Sequence, residues 1–279
     1  MAPPGTPPAF LTECELTPAQ FARITSLLHE HAGIRMREGK EGLVRARLTK
    51  RLRVLGLADF DAYLSFVEQE SSRREFAEMI DALTTNKTSF LREATHFDFL
   101  RDTVFPTLRG PVRIWSAGCS SGEEPYTLAM LCADAFGDAA ARDVRILATD
   151  ISHRVLATAK AGVYPTDAMS DVPAAWLQKY WARKTDQGGR SVFEAQAPLR
   201  KPVHFAKLNL MERWPMQGPF DAILCRNVMI YFDKTTQQQL VERYWAMLRP
   251  GGHLFVGHSE SLTGLAHRFR YVQPAVYVK

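Results

Sequence analysis

Apolar residues recur at helical spacing through the first third of the chain and at strand spacing only beyond residue 110. Phe21, Ile24 and Leu28 mark one helical face. It starts after Thr17-Pro18-Ala19-Gln20, where a threonine N-cap, a proline at N1 and a glutamine three residues on form a capping box, and it stops at Gly33. Val44, Leu48, Leu52 and Leu55 predict a second helix over 40–55. Tyr63, Leu64 and Val67, then Phe76, Met79, Ile80 and Leu83, predict two more, with Asp59 and Ser72 as their N-caps. A helical N-terminal domain is therefore expected over 16–84, behind a proline-rich flexible tail at 1–15.

The pattern changes after the polar segment Leu83–Ser89. A helix near 95–108 leads to Pro111, and strands then alternate with helices. Candidate strands are Val112–Ser116, Val144–Thr149, His204–Lys207, Asp221–Cys225 and His253–Gly257, with helices over 123–136, 152–161 and 235–248. Such alternation means a mostly parallel sheet covered on both faces. Leu248–Gly252 reads as a helix stop, and Phe269–Lys279 as a closing antiparallel pair. Residues 180–206 carry turns and short strand patterns without helical period, so a small antiparallel insertion is expected there, within a domain spanning 95–279.

Composition narrows the class without choosing a function. Of 279 residues, 46% are hydrophobic and 23% charged, which excludes a disordered chain. The formal charge of +5 suits an anionic partner but is far from a histone-like balance. Cys14, Cys119, Cys132 and Cys225 form no CxxC pair, and His29, His31, His253 and His258 lack ligand spacing, so no metal is expected. Nothing resembles a signal peptide, and no apolar run approaches the ~20 residues of a membrane span. A cytoplasmic protein without direct membrane insertion, and a monomer, is the expectation.

The chemistry concentrates in Ile114–Glu123, a strand entering a small-residue turn and then a helix. Such turns let backbone approach a ligand at the carboxyl end of a sheet. Asp150, ending the next strand, is placed to accept from ribose hydroxyls, with helix N-capping as its alternative role. A dinucleotide site would want G-x-G-x-x-G, whereas only Gly118 and Gly122 are present and the helix opens on Glu123-Glu124. Carboxylates there repel a pyrophosphate but suit a sulfonium and an ammonium group. S-adenosylmethionine is the cofactor this favours. The fold class is then α/β, a class I S-adenosylmethionine methyltransferase with a Rossmann-like seven-stranded sheet, an all-α N-terminal domain and the small β insertion.

Four segments resemble chemotaxis receptor glutamate O-methyltransferases, the CheR family: Thr85–Glu93, Ala117–Tyr126, Leu208–Leu210 and Cys225–Asp233, followed by His258-Ser-Glu-Ser-Leu262. The resemblance implies methyl transfer from S-adenosylmethionine to glutamate side chains on the cytoplasmic helices of chemoreceptors, leaving S-adenosylhomocysteine. It implies that Asn86, Thr88 and Arg92 of the linker over 85–94 contact the cofactor with Ala117, Gly118, Glu123, Asp150, Asn209, Leu210, Arg226 and Asn227. Arg92 and Tyr231 match the catalytic pair beside the transferred methyl. From the residues alone, Arg226 reads equally as a structural arginine paired with an acidic residue. Arg47, Lys50 and Arg53, a basic face read alone as solvated, become the receptor-docking candidates. Some family members bind a receptor C-terminal pentapeptide on their β insertion by strand addition; whether this chain does stays open.

Two rival functions fit the sequence less well. A nucleic-acid methyltransferase acting on base amino groups commonly carries D/N-P-P-Y/F/W after the fourth strand, whereas Arg226–Tyr231 stands here, and no basic aromatic groove for base stacking is visible. A non-catalytic cofactor-sensing module would be favoured by loss of Arg92 or Tyr231, and both are present.

Overall fold

The computed structural model describes residues 14–69, 74–137 and 142–279. Ser72 and most of the expected tail lie outside the described residues. The chain divides into two compact units between Thr85 and Asn86.

The first unit holds α1 (Pro18–Ala32), α2 (Glu41–Leu55), α3 (Phe60–Gln69) and α4 (Arg74–Leu83). The capping box forms as expected: Thr17 Oγ1 accepts from the Gln20 amide while the Gln20 side chain accepts from the Thr17 amide, and Gly33 closes α1 in the left-handed conformation at φ 68°. Asp59 accepts from the Ala62 amide at 2.8 Å. Val44, Leu48 and Leu52 are fully buried, whereas Leu55 is only partly covered. Beside this apolar layer, buried Glu75 receives two bonds from Arg51, at 2.9 and 2.6 Å, and one from the Tyr63 hydroxyl at 3.0 Å. That polar triad ties α2, α3 and α4 together.

The second unit contains α5 (Ala94–Phe99), β1 (Val112–Ala117), α6 (Glu123–Phe136), β2 (Val144–Asp150), α7 (His153–Ala161), β3 (Val163–Pro165), α8 (Ala174–Tyr180), β4 (Trp181–Thr185), β5 (Ser191–Ala195), α9 (Ala197–Arg200), β6 (Val203–Lys207), β7 (Phe220–Cys225), α10 (Lys234–Met247), β8 (Leu248–Val256), β9 (Arg270–Gln273) and β10 (Val276–Val278). Seven strands form one sheet in the order β6-β2-β1-β7-β8-β10-β9. The first five are parallel, and β10 pairs antiparallel with both β8 and β9. Strand alternation splits the core into two layers. Ile114, Ala148, Ala222 and Leu224 pack with α6 residues on one face, while Trp115, Ile223, Cys225 and Val256 pack with Leu240, Val241 and Tyr244 of α10 on the other. Both faces are thus dry, as a parallel sheet requires.

Three expectations need correction. The helix near 95–108 is α-helical only to Phe99; a π turn over Leu100–Val104 and a 3-10 turn over Phe105–Thr107 follow, Pro106 being unable to donate to a continuing helix. Leu248 is extended and already belongs to β8, so Leu248–Gly252 is strand, not a glycine helix stop. The small sheet, ordered β3-β5-β4, starts earlier than 180 and ends at Ala195. Val163–Pro165 is too short to leave a period, and Val203–Lys207 pairs with β2 in the main sheet.

Candidate active site

β1 lies between β2 and β7, so the chain leaves its carboxyl end at the place where the order of the sheet reverses. There the Gly118 and Cys119 amides both donate to the Thr149 carbonyl, at 2.8 and 2.9 Å. Gly118 has φ 94°, and a Cβ on it would run into the side chain of Val228. Asp150 accepts from the Ser120 amide at 2.9 Å and from the Ser152 amide at 3.0 Å, binding the turn to the end of β2. The N-cap of α7 is Ser152, which accepts from Val155, so Asp150 does not cap that helix. The next strand end joins the same edge. Leu208 donates to the Asp150 carbonyl at 3.0 Å, and Asn209 accepts from the Met211 amide at 3.0 Å. Leu210 is buried in the apolar layer over Trp115.

The two carboxylates opening α6 diverge, because successive helical residues point about 100° apart. Glu123 is 8% exposed, the Ser121 hydroxyl lies 2.8 and 2.9 Å from its oxygens, and burial raises its pKa. Glu124 turns inward, accepting from Ser116 Oγ at 2.7 Å and Arg226 Nη1 at 2.8 Å, with burial again raising its pKa. Only Glu123 stands with the turn that the cation argument invoked.

The linker runs along this edge. The Asn86 carbonyl accepts from Ser120 Oγ at 2.9 Å, and Asn86 Nδ2 is buried with no protein partner. Thr88 is partly buried, and Phe90 is fully buried, edge-on to Tyr164 at 5.0 Å and Trp181 at 5.4 Å. Leu91 and Glu93 both take left-handed backbone, at φ 55° and 59°. Each such residue costs about 1–2 kcal/mol. Arg92 sits between them, half-buried, with Nη1 donating to the Lys87 carbonyl at 2.8 Å.

Arg226 holds that strained turn. Its guanidinium donates to Glu93 Oε2 at 3.0 and 3.3 Å, to Glu124, and to the Arg92 carbonyl, and it lies 5.1 Å from the Phe97 ring centroid. The side chain is 3% exposed. Arg226 makes the acidic pairing that one of its two sequence readings expects, with its guanidinium between Glu93 and Glu124. Glu93 accepts further bonds from Asn227 Nδ2 at 3.3 Å and the His258 amide at 3.1 Å. Burial would raise its pKa, but the His258 amide, Arg226 and Asn227 together hold it below the usual carboxylate value.

Asn227 also has left-handed backbone, at φ 59°. Its amide and that of Ile230 donate to Glu260 at 2.8 and 3.0 Å, as does the Gly257 amide at 2.5 Å. Glu260 thereby shapes the loop that ends in the 3-10 turn Met229–Tyr231, where Tyr231 is half-buried. Sequence reasoning gave no role to Glu93 or Glu260, and it placed Glu124 beside the cofactor rather than against Arg226. Glu260 lies in the His258–Leu262 motif, but linear spacing does not connect it to Asn227.

The structure also gathers Glu93, His96 and His258, whose ligand-capable atoms lie within 4.8 Å of one another, a cluster invisible in the spacing. Both Glu93 oxygens already accept protein donors, and the Arg226 guanidinium 3.0 Å away opposes a second cation there.

In the helical unit, Arg47 caps the end of α4, donating to the Leu83 and Thr84 carbonyls at 2.9 and 3.2 Å and to Thr85 Oγ1 at 3.3 Å. Lys50 and Arg53 remain exposed.

Residues 86–278 match the family model described as "CheR methyltransferase, SAM binding domain", and residues 19–84 match "CheR methyltransferase, all-alpha domain". The chain is 42% identical over 263 residues to "Chemotaxis protein methyltransferase" of Escherichia coli (strain K12), covering 94% of this chain and 91% of that one. It is 38% identical over 280 residues to the protein of the same name in Borreliella burgdorferi, covering 97% of each. "Chemotaxis protein methyltransferase 2" of Pseudomonas aeruginosa is 41% identical over 270 residues, with 95% and 94% covered.

Proposed function

The chain belongs to the CheR methyltransferase family and carries out S-adenosylmethionine-dependent methylation in chemotaxis, and from that premise we propose that it esterifies glutamate side chains on the cytoplasmic helices of chemoreceptors. The observation that carries this reading is the presentation of Arg92. It is a half-buried guanidinium on a strained turn, braced at the sheet edge where a cofactor-binding turn and two further strand ends converge. Bound S-adenosylmethionine supplies a methyl group on a sulfonium.

The chain's own residues bind and orient. Asp150 faces the ribose hydroxyls, Glu123 the ammonium group, and the orphaned Asn86 Nδ2 is a donor for the cofactor's acceptors. Thr88, Ala117, Gly118, Asn209, Leu210 and Asn227 complete the cradle, with Arg226 contributing backbone only. An acceptor glutamate is ionised at neutral pH, so no general base is needed. Arg92 orients that carboxylate by charge-assisted hydrogen bonds, Tyr231 donates another, and catalysis rests on in-line positioning and exclusion of water. Lys50 and Arg53 form the exposed part of the receptor-docking face, while Arg47 supports it by capping α4. β4, an edge strand of the small sheet, is where a receptor's C-terminal peptide would add. No helix among the described residues is long and apolar enough to cross a membrane.

Transfer of a labelled methyl group to receptor fragments tests the reaction. The expected product is base-labile label released as methanol. Label on nucleic acid, or base-stable label on the receptor, would refute glutamate esterification. Gly118→Ala is expected to weaken S-adenosylmethionine binding at least about tenfold by titration calorimetry, because a Cβ there meets both left-handed backbone and Val228. Unchanged affinity would show that the turn is not part of the cradle.

A further inference from the structure

Glu93 stands where three chain segments meet. Its own backbone is the end of the strained turn that carries Arg92. Its Oε2 accepts from Arg226, and its Oε1 accepts from Asn227 Nδ2 and from the His258 amide. Asn227 begins the loop that ends at Tyr231, and Glu260 receives the amides of Asn227 and Ile230 along it. Every group facing the Glu93 carboxylate from Arg226, Asn227 and His258 is therefore a donor. Buried His96 lies 3.5 Å from Oε2.

We propose that Glu93 is a positioning residue for methyl transfer, its carboxylate coupling the Arg92 turn to the Asn227–Tyr231 loop so that both groups hold one geometry. The inference rests on Arg92 and Tyr231 being the groups on the acceptor side; the coupling itself is a property of the fold. Three features carry it. Leu91 and Glu93 keep left-handed backbone only while the surroundings over-determine them. The Arg226 guanidinium reaches both the Arg92 carbonyl and the Glu93 carboxylate, so it grips the turn at the displayed residue and at the one that follows it. Glutamine cannot replace the carboxylate. Its NH2 group would face either Arg226 or the Asn227–His258 pair, donor against donor.

The test compares the full chain with Glu93→Gln and with Glu93→Asp, which keeps the charge but shortens the reach, each saturated with S-adenosylhomocysteine for exchange and with S-adenosylmethionine for methyl transfer. Amide hydrogen exchange is expected to quicken about tenfold or more in both 88–95 and 226–232, with the rest of the Asn86–Lys279 unit unchanged. Single-turnover methyl transfer is expected to fall roughly 10- to 100-fold, the value of one or two lost charge-assisted hydrogen bonds, with cofactor-product affinity within about threefold. Unchanged exchange in either variant, or quickening in only one segment, would overturn the coupling. So would quickening throughout the unit together with lost product binding, which would make Glu93 a general folding residue. An active Arg92→Ala would refute the assignment of Arg92 while leaving the exchange result to decide the coupling.

Discussion

Arg92→Ala is expected to cut methyl transfer to receptor glutamates by about 100-fold or more while the protein still folds and binds S-adenosylmethionine. The guanidinium makes one hydrogen bond within its own turn, to the Lys87 carbonyl, worth only about 1 kcal/mol. The strained backbone around it is held by other side chains, Arg226 and Glu93, so the turn survives truncation. What is lost is the bidentate fork that orients an anionic acceptor, and misplacement by about 1 Å can cost 10²-fold in rate. Arg92→Lys is expected to recover only part of the rate, because an ammonium lacks the planar pair of donors. The measurement is single-turnover transfer of a labelled methyl group at saturating cofactor, beside cofactor affinity. Near-normal receptor methylation by the alanine variant would remove Arg92 from the chemistry.

The largest stability effect is expected at Arg226. Arg226→Met would leave Glu93 and Glu124 facing one another with little solvent, a loss of about 3–5 kcal/mol for a broken buried ion pair. For a unit of this size that is a fall in melting temperature of about 10 °C. The pH dependence follows from Glu93. Its folded pKa lies below the unfolded value of 4.5, so the stability it contributes is present above that pH and is lost as the pH falls through the folded pKa. The gap between wild type and Arg226→Met should therefore narrow in acid. Adding Glu93→Gln and Glu124→Gln to Arg226→Met should recover part of the melting temperature without recovering methyl transfer. An Arg226→Met protein melting with wild type would show that the ion pairs contribute nothing to the fold.

The two readings of Arg226 show where linear reasoning stops. The segment Arg226–Tyr231 could be matched to a family motif, yet whether its arginine faced a cofactor or a carboxylate depended on Glu93 and Glu124, which lie 133 and 102 residues away. The same holds for Glu123 and Glu124. As adjacent letters they supported one charge argument, but helical geometry sends them to different places, and only one remains with the turn. Arg47, Lys50 and Arg53 likewise formed one stripe, until the end of α4 took Arg47 as its cap.

Much was local and therefore legible. The Thr17–Gln20 capping box, the Asp59 cap, the α6 and α10 helices and the strand–turn–helix at Gly118 all depend on residues within a few positions of one another, where backbone propensity and periodicity act. Boundaries failed where tertiary pairing overrode that preference. Val163–Pro165 is a strand because β5 lies beside it, and Leu248–Gly252 is extended because β7 and the chain end pair along it.

The sequence by itself determined the order of helices and strands, the helical first unit, the small-residue turn with its acidic helix start, and the motifs that place the chain in its family. Each is carried by nearest neighbours or by residue identity. Only the tertiary structure decided that Glu93, Glu124 and Glu260 shape the two turns bearing Arg92 and Tyr231, and that Arg226 serves them. The reason is physical: a buried charge is tolerated only beside its partners, and the partners come together only when distant strand ends converge on one edge of the sheet.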